Sequence, residues 1–168
     1  MILKQIINIL IQKGTISIMS FKKLMAVLIV QRSNFQVLHW KSIGRHFDNM
    51  HTNVTNNYYE MVSTDIDDVT ECAMRLGVNP VNLVKACQIA ASTEGVSMYS
   101  TEKDYERDEI VSLTDKSLKS ILDAIADVLQ EDEIQENIEN VGIKAYLEGL
   151  YDKYDKEYRF LNRRRMHG

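Results

Sequence analysis

The chain has 168 residues and a mass of 19.4 kDa, the size of one domain. Seven glycines and one proline are too few to turn a sandwich or barrel, which excludes most all-β architectures, and a hydrophobic content of 45% excludes a disordered chain. A net charge of −4 excludes a globally basic nucleic-acid binder though not a local basic tail, and two cysteines, Cys72 and Cys87, are too few for a disulfide framework and fit reduced thiols in a cytoplasmic protein.

Residues 1–18 are apolar but broken by Lys4, Gln5, Asn8, Gln12, Lys13 and Gly14. They lack a small-residue cleavage site after a compact apolar core, so they do not read as a signal peptide, and no stretch approaches the roughly 20 apolar residues of a membrane span. The segment is either a short amphipathic docking helix or sequence upstream of a natural start at Met19, and it is set apart from a domain covering 19–168.

Four long helices and one short one follow. The first is expected from Ser20, a candidate N-cap, to Ile43, with Leu24, Leu28, Phe35 and Leu38 at helical spacing and Gly44 closing it. The second runs from about Asp48 to Leu76 and stops at Gly77. Asn79-Pro80 restarts the chain as N-cap and first helical residue, giving a short helix to Ala91. The third covers about Thr101–Gln130, with a stripe Leu118, Ile121, Ile125, Val128. The fourth covers about Asn140–Arg164, with a stripe Leu147, Tyr151, Tyr154, Tyr158, Leu161. Those stripes read as the seams of an all-α four-helix bundle. A crossover between helices two and three, holding its own short helix, is the ferritin-like wiring.

Among the four histidines, His39 lies on a mainly apolar helix, His51 at the start of the second, His46 in the linker and His167 near the end. Asp67 and Glu71 are spaced i,i+4, so they lie one above the other, with Glu60 on the same face and Asp65 and Asp68 flanking it. Like charges at that spacing repel by roughly 0.2–0.5 kcal/mol, a sign that a bound cation would reverse. Carboxylates with neutral imidazoles suit hard to borderline ions such as Fe(II) or Mn(II).

Leu38-His39-Trp40, then Gly44, Phe47 and His51, then Asp67-x-x-x-Glu71 and Leu76-Gly77, resembles the motif of Dps, the miniferritin family. The two histidines stand twelve residues apart and Glu71 stands six before Gly77. The similarity is sharpest over 35–77 and generic over 107–162. It implies a ferritin-like subunit that assembles into a hollow dodecamer. It also implies an iron-oxidation (ferroxidase) site at the dimer interface, where Fe(II) is oxidised by peroxide or dioxygen and passes into the cavity as ferric mineral. On this chain His39 and His51 become the imidazole ligands from one subunit, and Asp67 a terminal and Glu71 a bridging carboxylate from its neighbour. Trp40 becomes an electron donor that quenches radicals.

Two positions depart from the family. His51 to Asp67 is sixteen residues, one more than usual, and one extra residue turns a helix face by about 100°. A π-bulge or a shifted helix start has to absorb it. The acid that the family often carries four residues after its second histidine is Thr55 here. A ferritin-like bundle without ferroxidase activity, serving as a structural or interaction protein, is therefore the first alternative. The second is a DNA-binding protective protein. Some Dps-like proteins bind DNA through basic tails, and Arg163, Arg164 and Arg165 can contact phosphates, although cations also complement a helix C-terminus.

Overall fold

Apolar side chains that recur every three or four residues are buried by packing helix on helix. The computed structural model describes the backbone of residues 2–166 and the side chains of 18–161. It shows an all-α four-helix bundle. Its long elements are α1 (Ile2–Trp40), a π-helical segment (Asn49–Asn56) that runs directly into α2 (Asn57–Arg75), α4 (Arg107–Leu129) and α6 (Val141–Met166). The crossover from α2 to α4 carries the short α3 (Leu83–Ala91). Helix α1 packs on α2, α3 and α4, and α4 packs on α6.

The α4 stripe Leu118, Ile121, Ile125 and Val128 is wholly buried. It meets Leu147, Tyr154 and Leu161 of α6, which are also buried, while Tyr151 and Tyr158 are half-buried at the edge of the seam. Phe21, Leu24, Leu28, Phe35 and Leu38 bring α1 into the same core. Each such side chain is worth about 1.5–3 kcal/mol of transfer free energy. Helix α2 ends where a residue without Cβ allows it. Gly77 takes φ +75°, its N–H donates to the Met74 carbonyl, and the Val78 N–H donates to the Ala73 carbonyl.

Three boundaries differ from the sequence expectation. Ser20 does not cap α1, whose backbone is helical from Ile2; its hydroxyl donates to Glu131 at the far end of α4 instead. Asn79 is not the cap of α3. Asn82 is, its side chain accepting from the Lys85 N–H at 2.9 Å, and the Asn-Pro pair stays in the preceding loop. Residues 101–106 are not the first turns of α4 but an extended strap, and the connection after α4 holds α5 (Asp132–Glu136) and a 3₁₀ turn (Ile138–Asn140).

The strap fixes the C-terminal end of α1. The Tyr105 N–H donates to the Lys41 carbonyl at 2.8 Å and the Ile43 N–H donates to the Tyr105 carbonyl at 3.0 Å, beside a Lys41–Asp104 ion pair. Further along, buried Asn34 donates to Gln31 Oε1 and to the Ser97 carbonyl, both at 2.8 Å, and accepts from the Tyr99 N–H at 2.9 Å. Gln31 in turn donates to Ser120 of α4 at 2.8 Å. Helix α2 is tied to α6 by buried Asp65. Its carboxylate accepts from Lys153 Nζ at 2.7 and 2.9 Å and from the Tyr154 hydroxyl at 2.6 Å.

Two outcomes follow for stability. Asp65→Ala strands the fully buried Tyr154 hydroxyl, while partly exposed Lys153 can return to water. A loss of about 2–3 kcal/mol is expected, read by calorimetry as a fall in Tm of roughly 5–10 °C; an unchanged Tm would show that the tie is not structural. Burial pushes the Tyr99 hydroxyl up to about 12 and, with Asp65 as a second cause, the Tyr154 hydroxyl well above its ordinary value. The unfolded chain therefore loses these protons first, near pH 10. The stability both contribute is complete below about pH 10, and the Tyr99 share is lost as pH rises through about 12. Urea midpoints should fall steeply over that window, less so in Tyr99→Phe.

Candidate metal centre

His39 stands on the last turn of α1 and His51 inside the π-helical segment. The turn between them pivots at Gly44, whose φ of +93° suits a residue without a side chain. The two imidazoles stack, with centroids 3.7 Å apart and planes 19° apart, and Phe47 stacks on the outer face of His51 at 4.8 Å. Their Nδ1 atoms are exchanged: His39 Nδ1 lies 3.0 Å from the His51 carbonyl oxygen, and His51 Nδ1 lies 2.8 Å from the His39 carbonyl oxygen. A carbonyl oxygen only accepts, so each neutral ring must carry its proton on Nδ1. That leaves both Nε2 lone pairs free to bind a metal, the arrangement in which an outer carbonyl fixes the tautomer of a ligating histidine.

Stacking also limits what the pair can bind. A lone pair lies in its ring plane and a metal–nitrogen bond is about 2.1 Å. Over that reach a 19° tilt closes at most about 0.7 Å of the 3.7 Å between the rings. The two imidazoles are therefore not aimed at one common ion.

Asp67 and Glu71 sit on α2 as an exposed i,i+4 pair, and neither has a hydrogen bond or ion pair among the described residues. Exposed Glu60 accepts from Asn56, Asp68 is exposed, and Asp65 turns inward to Lys153 and Tyr154. His51 and Asp67 belong to one continuous helical rod, sixteen residues apart, which separates them by roughly 20 Å. The structure thus brings the histidines together and the carboxylates together, but not the two pairs. Among the described residues no group of three or more His, Cys, Asp or Glu is placed to hold a metal.

Trp40, beside His39, is 65% exposed, and Ile43 and Phe47 are exposed near it. His46 is exposed. The side chains of Arg163, Arg164 and Arg165, and all of His167, lie outside the described residues. No helix of the described chain is long and apolar enough to cross a membrane.

The extra residue between His51 and Asp67 is housed in the π-helical segment. Buried positions along this rod are Met50, Val54, Thr55, Tyr58, Val62, Asp65, Val69, Cys72 and Ala73, so one face is carried inward from the π-helical segment through α2. Sequence reasoning missed the role of Asp65, yet this burial phase, which puts Asp65 with Val62 and Val69, was the signal that could have found it.

The fold is that of the ferritin-like class. Among solved structures the chain is similar to a Dps protein from Vibrio cholerae O1, described as a member of a broad superfamily of ferritin-like diiron-carboxylate proteins. That likeness has a TM-score of 0.74 at 16% identity and covers 90% of this chain and 89% of that one. Helicobacter cinaedi CAIP gives 0.76 at 20% identity over 88% and 98% of the two chains, and a Dps protein from Bacillus brevis 0.76 at 14% over 90% and 95%. No family model matches the chain, and no curated protein matches it. The structural likenesses establish the Dps-type ferritin-like fold, with the short helix in the crossover.

If the π-helical segment stores one surplus residue, removing exposed Asn53 should let the segment wind as an α-helix at little cost. Thermal stability of the deletion variant is expected within about 1 kcal/mol of the parent, with stronger amide-exchange protection over 49–57. A loss above about 2 kcal/mol would show that the winding is needed for packing rather than for register.

Proposed function

We propose that the chain is a Dps-like iron protein that binds Fe(II) between two subunits, oxidises it with peroxide or dioxygen and stores the ferric product in a homo-oligomeric cage. The observation that carries this reading is the separation of two complementary half-sites, one where α1 meets the π-helical segment and one on α2. His39 and His51 offer two free imidazole nitrogens, and Asp67 and Glu71 offer an unneutralised carboxylate pair roughly 20 Å away. A second copy laid antiparallel about a twofold axis sets the histidines of each subunit against the carboxylates of the other and completes two equivalent sites.

The donor set fits iron as substrate. Imidazole and carboxylate suit Fe(II), and oxygen donors favour the ferric product. Because the stacked rings are not aimed at one common ion, Glu71 is the residue to bridge two ions and Asp67 to terminate one. A pair of ferrous ions supplies both electrons needed to reduce one peroxide, with two protons, to two waters. Delivering them as a pair avoids the one-electron step that releases a radical. Trp40, exposed beside His39, would donate an electron when such a step does occur. Assembly into a dodecamer, as the resemblance implies, would give a particle of about 230 kDa from a 19.4 kDa chain.

Mixing subunits tests the shared site directly. Neither His39→Ala/His51→Ala nor Asp67→Ala/Glu71→Ala should oxidise Fe(II) with peroxide at more than about a tenth of the parent rate. Co-refolding the two variants in equal amounts is expected to restore about a quarter of the activity. Half of the dimers are then mixed, and each mixed dimer regains one of its two sites. No recovery, with dimers formed, would place the sites within single subunits or abolish them.

A further inference from the structure

We propose that Thr55 is a positioning residue: its hydroxyl latches the π-helical segment and holds the carbonyl that fixes the metal-binding tautomer of His39. The inference rests on the iron-site reading for its purpose, and on the hydrogen-bond geometry for its substance.

Thr55 is completely buried, so water does not compete for its hydroxyl. In an α-helix a threonine hydroxyl bonds back to the carbonyl four residues earlier. Here the wider winding brings two carbonyls within reach: Thr55 Oγ1 lies 3.0 Å from the Met50 oxygen and 3.1 Å from the His51 oxygen. Its single hydrogen is shared between them, and it straddles the turn where the surplus residue sits. The His51 oxygen is also the acceptor for His39 Nδ1 at 3.0 Å, and Thr55 Oγ1 itself lies 3.5 Å from that nitrogen.

His39 Nδ1 thus faces a carbonyl oxygen and a hydroxyl whose hydrogen is turned away to other acceptors. Every neighbour at that nitrogen accepts, so Nδ1 must donate and Nε2 must keep its lone pair. Thr55 touches both parts of this arrangement. Where the Dps pattern often has an acid, this chain has a group that acts on a ligand rather than as one. Losing the hydroxyl removes a buried donor from the carbonyls of Met50 and His51 and loosens the atom that orients the His39 ring.

Three variants test this: Thr55→Val, which keeps the shape and loses the hydroxyl; Thr55→Ser, which keeps the hydroxyl and loses the methyl; and Thr55→Ala, which loses both. Imidazole ¹⁵N chemical shifts of the metal-free protein, above the pH at which histidine titrates, report which nitrogen carries the proton. The parent and Thr55→Ser should show His39 in the Nδ1–H form, with Co(II) affinities within about twofold of each other. Thr55→Val and Thr55→Ala should show a mixture of tautomers at His39 and bind Co(II) about tenfold more weakly. Unchanged shifts and affinity in Thr55→Val would overturn the proposal. So would equal behaviour of Thr55→Ser and Thr55→Ala, which decides the matter if Thr55→Val does not fold. If the parent itself binds no Co(II), the iron-site reading falls while the ¹⁵N shifts still decide the role of Thr55.

Discussion

A helix is a rod of fixed rise, and both donor sets of this chain are mounted on or against the same rod. The rise is about 1.5 Å per residue and less in the wider π-helical turns, so backbone positions sixteen residues apart stay at least roughly 20 Å apart. Gly77 ends that rod, and Asp65 ties it to α6 between the π-helical segment and the end of α2. The helical rise separates the imidazoles from the carboxylates, and in the proposed dimer the same spacing would let two copies register against one another. A flexible linker between the half-sites would have allowed each chain to close on itself.

The π-helical segment is what makes that register useful. One surplus residue in an unbroken α-helix would turn everything beyond it by about 100°. Asp65 would leave Lys153 and Tyr154, and Asp67 and Glu71 would rotate away from the surface they now occupy. By winding eight residues more widely, the segment takes up the surplus before α2 begins. Wide turns pack their own backbone less well than α-helical ones. This one is supported by burial of Met50, Val54 and Thr55 and by the exchange of ring and carbonyl contacts with His39. The same contacts that stabilise the irregular backbone fix both imidazole tautomers, so the local departure from ideal geometry and the chemistry of the site have one cause.

Much of the fold was legible because periodicity and punctuation are local. The stripe Leu118, Ile121, Ile125, Val128 could face only a core, and Gly77 after Leu76 could only stop a helix. The spacing His51 to Asp67 announced a register problem, and the structure meets it with a π-helical segment. What was not legible depends on contacts distant in sequence. Ser20 looks like a cap until Glu131, 111 residues away, takes its hydroxyl. Residues 101–106 have helical character until the Lys41 carbonyl draws the Tyr105 N–H into an extended strap. The stacking of His39 on His51 depends on a turn through Gly44 that no periodicity describes.

Asp65 and Asp67 show how environment, not residue type, divides the work. They are two positions apart, so they project from nearly opposite sides of α2. Asp65 meets a lysine ammonium and a buried tyrosine hydroxyl, and its charge is spent on holding two helices together. Asp67 meets solvent and, one turn on, a second negative charge on Glu71. That repulsion is small in water, roughly 0.2–0.5 kcal/mol, but it grows as a partner surface displaces water and lowers the local dielectric. An interface that covers Asp67 and Glu71 without a cation between them would be opposed by their charge. An interface that delivered two imidazole nitrogens along with the cations would turn the same repulsion into attraction, so in the proposed dimer metal binding and subunit pairing would favour one another.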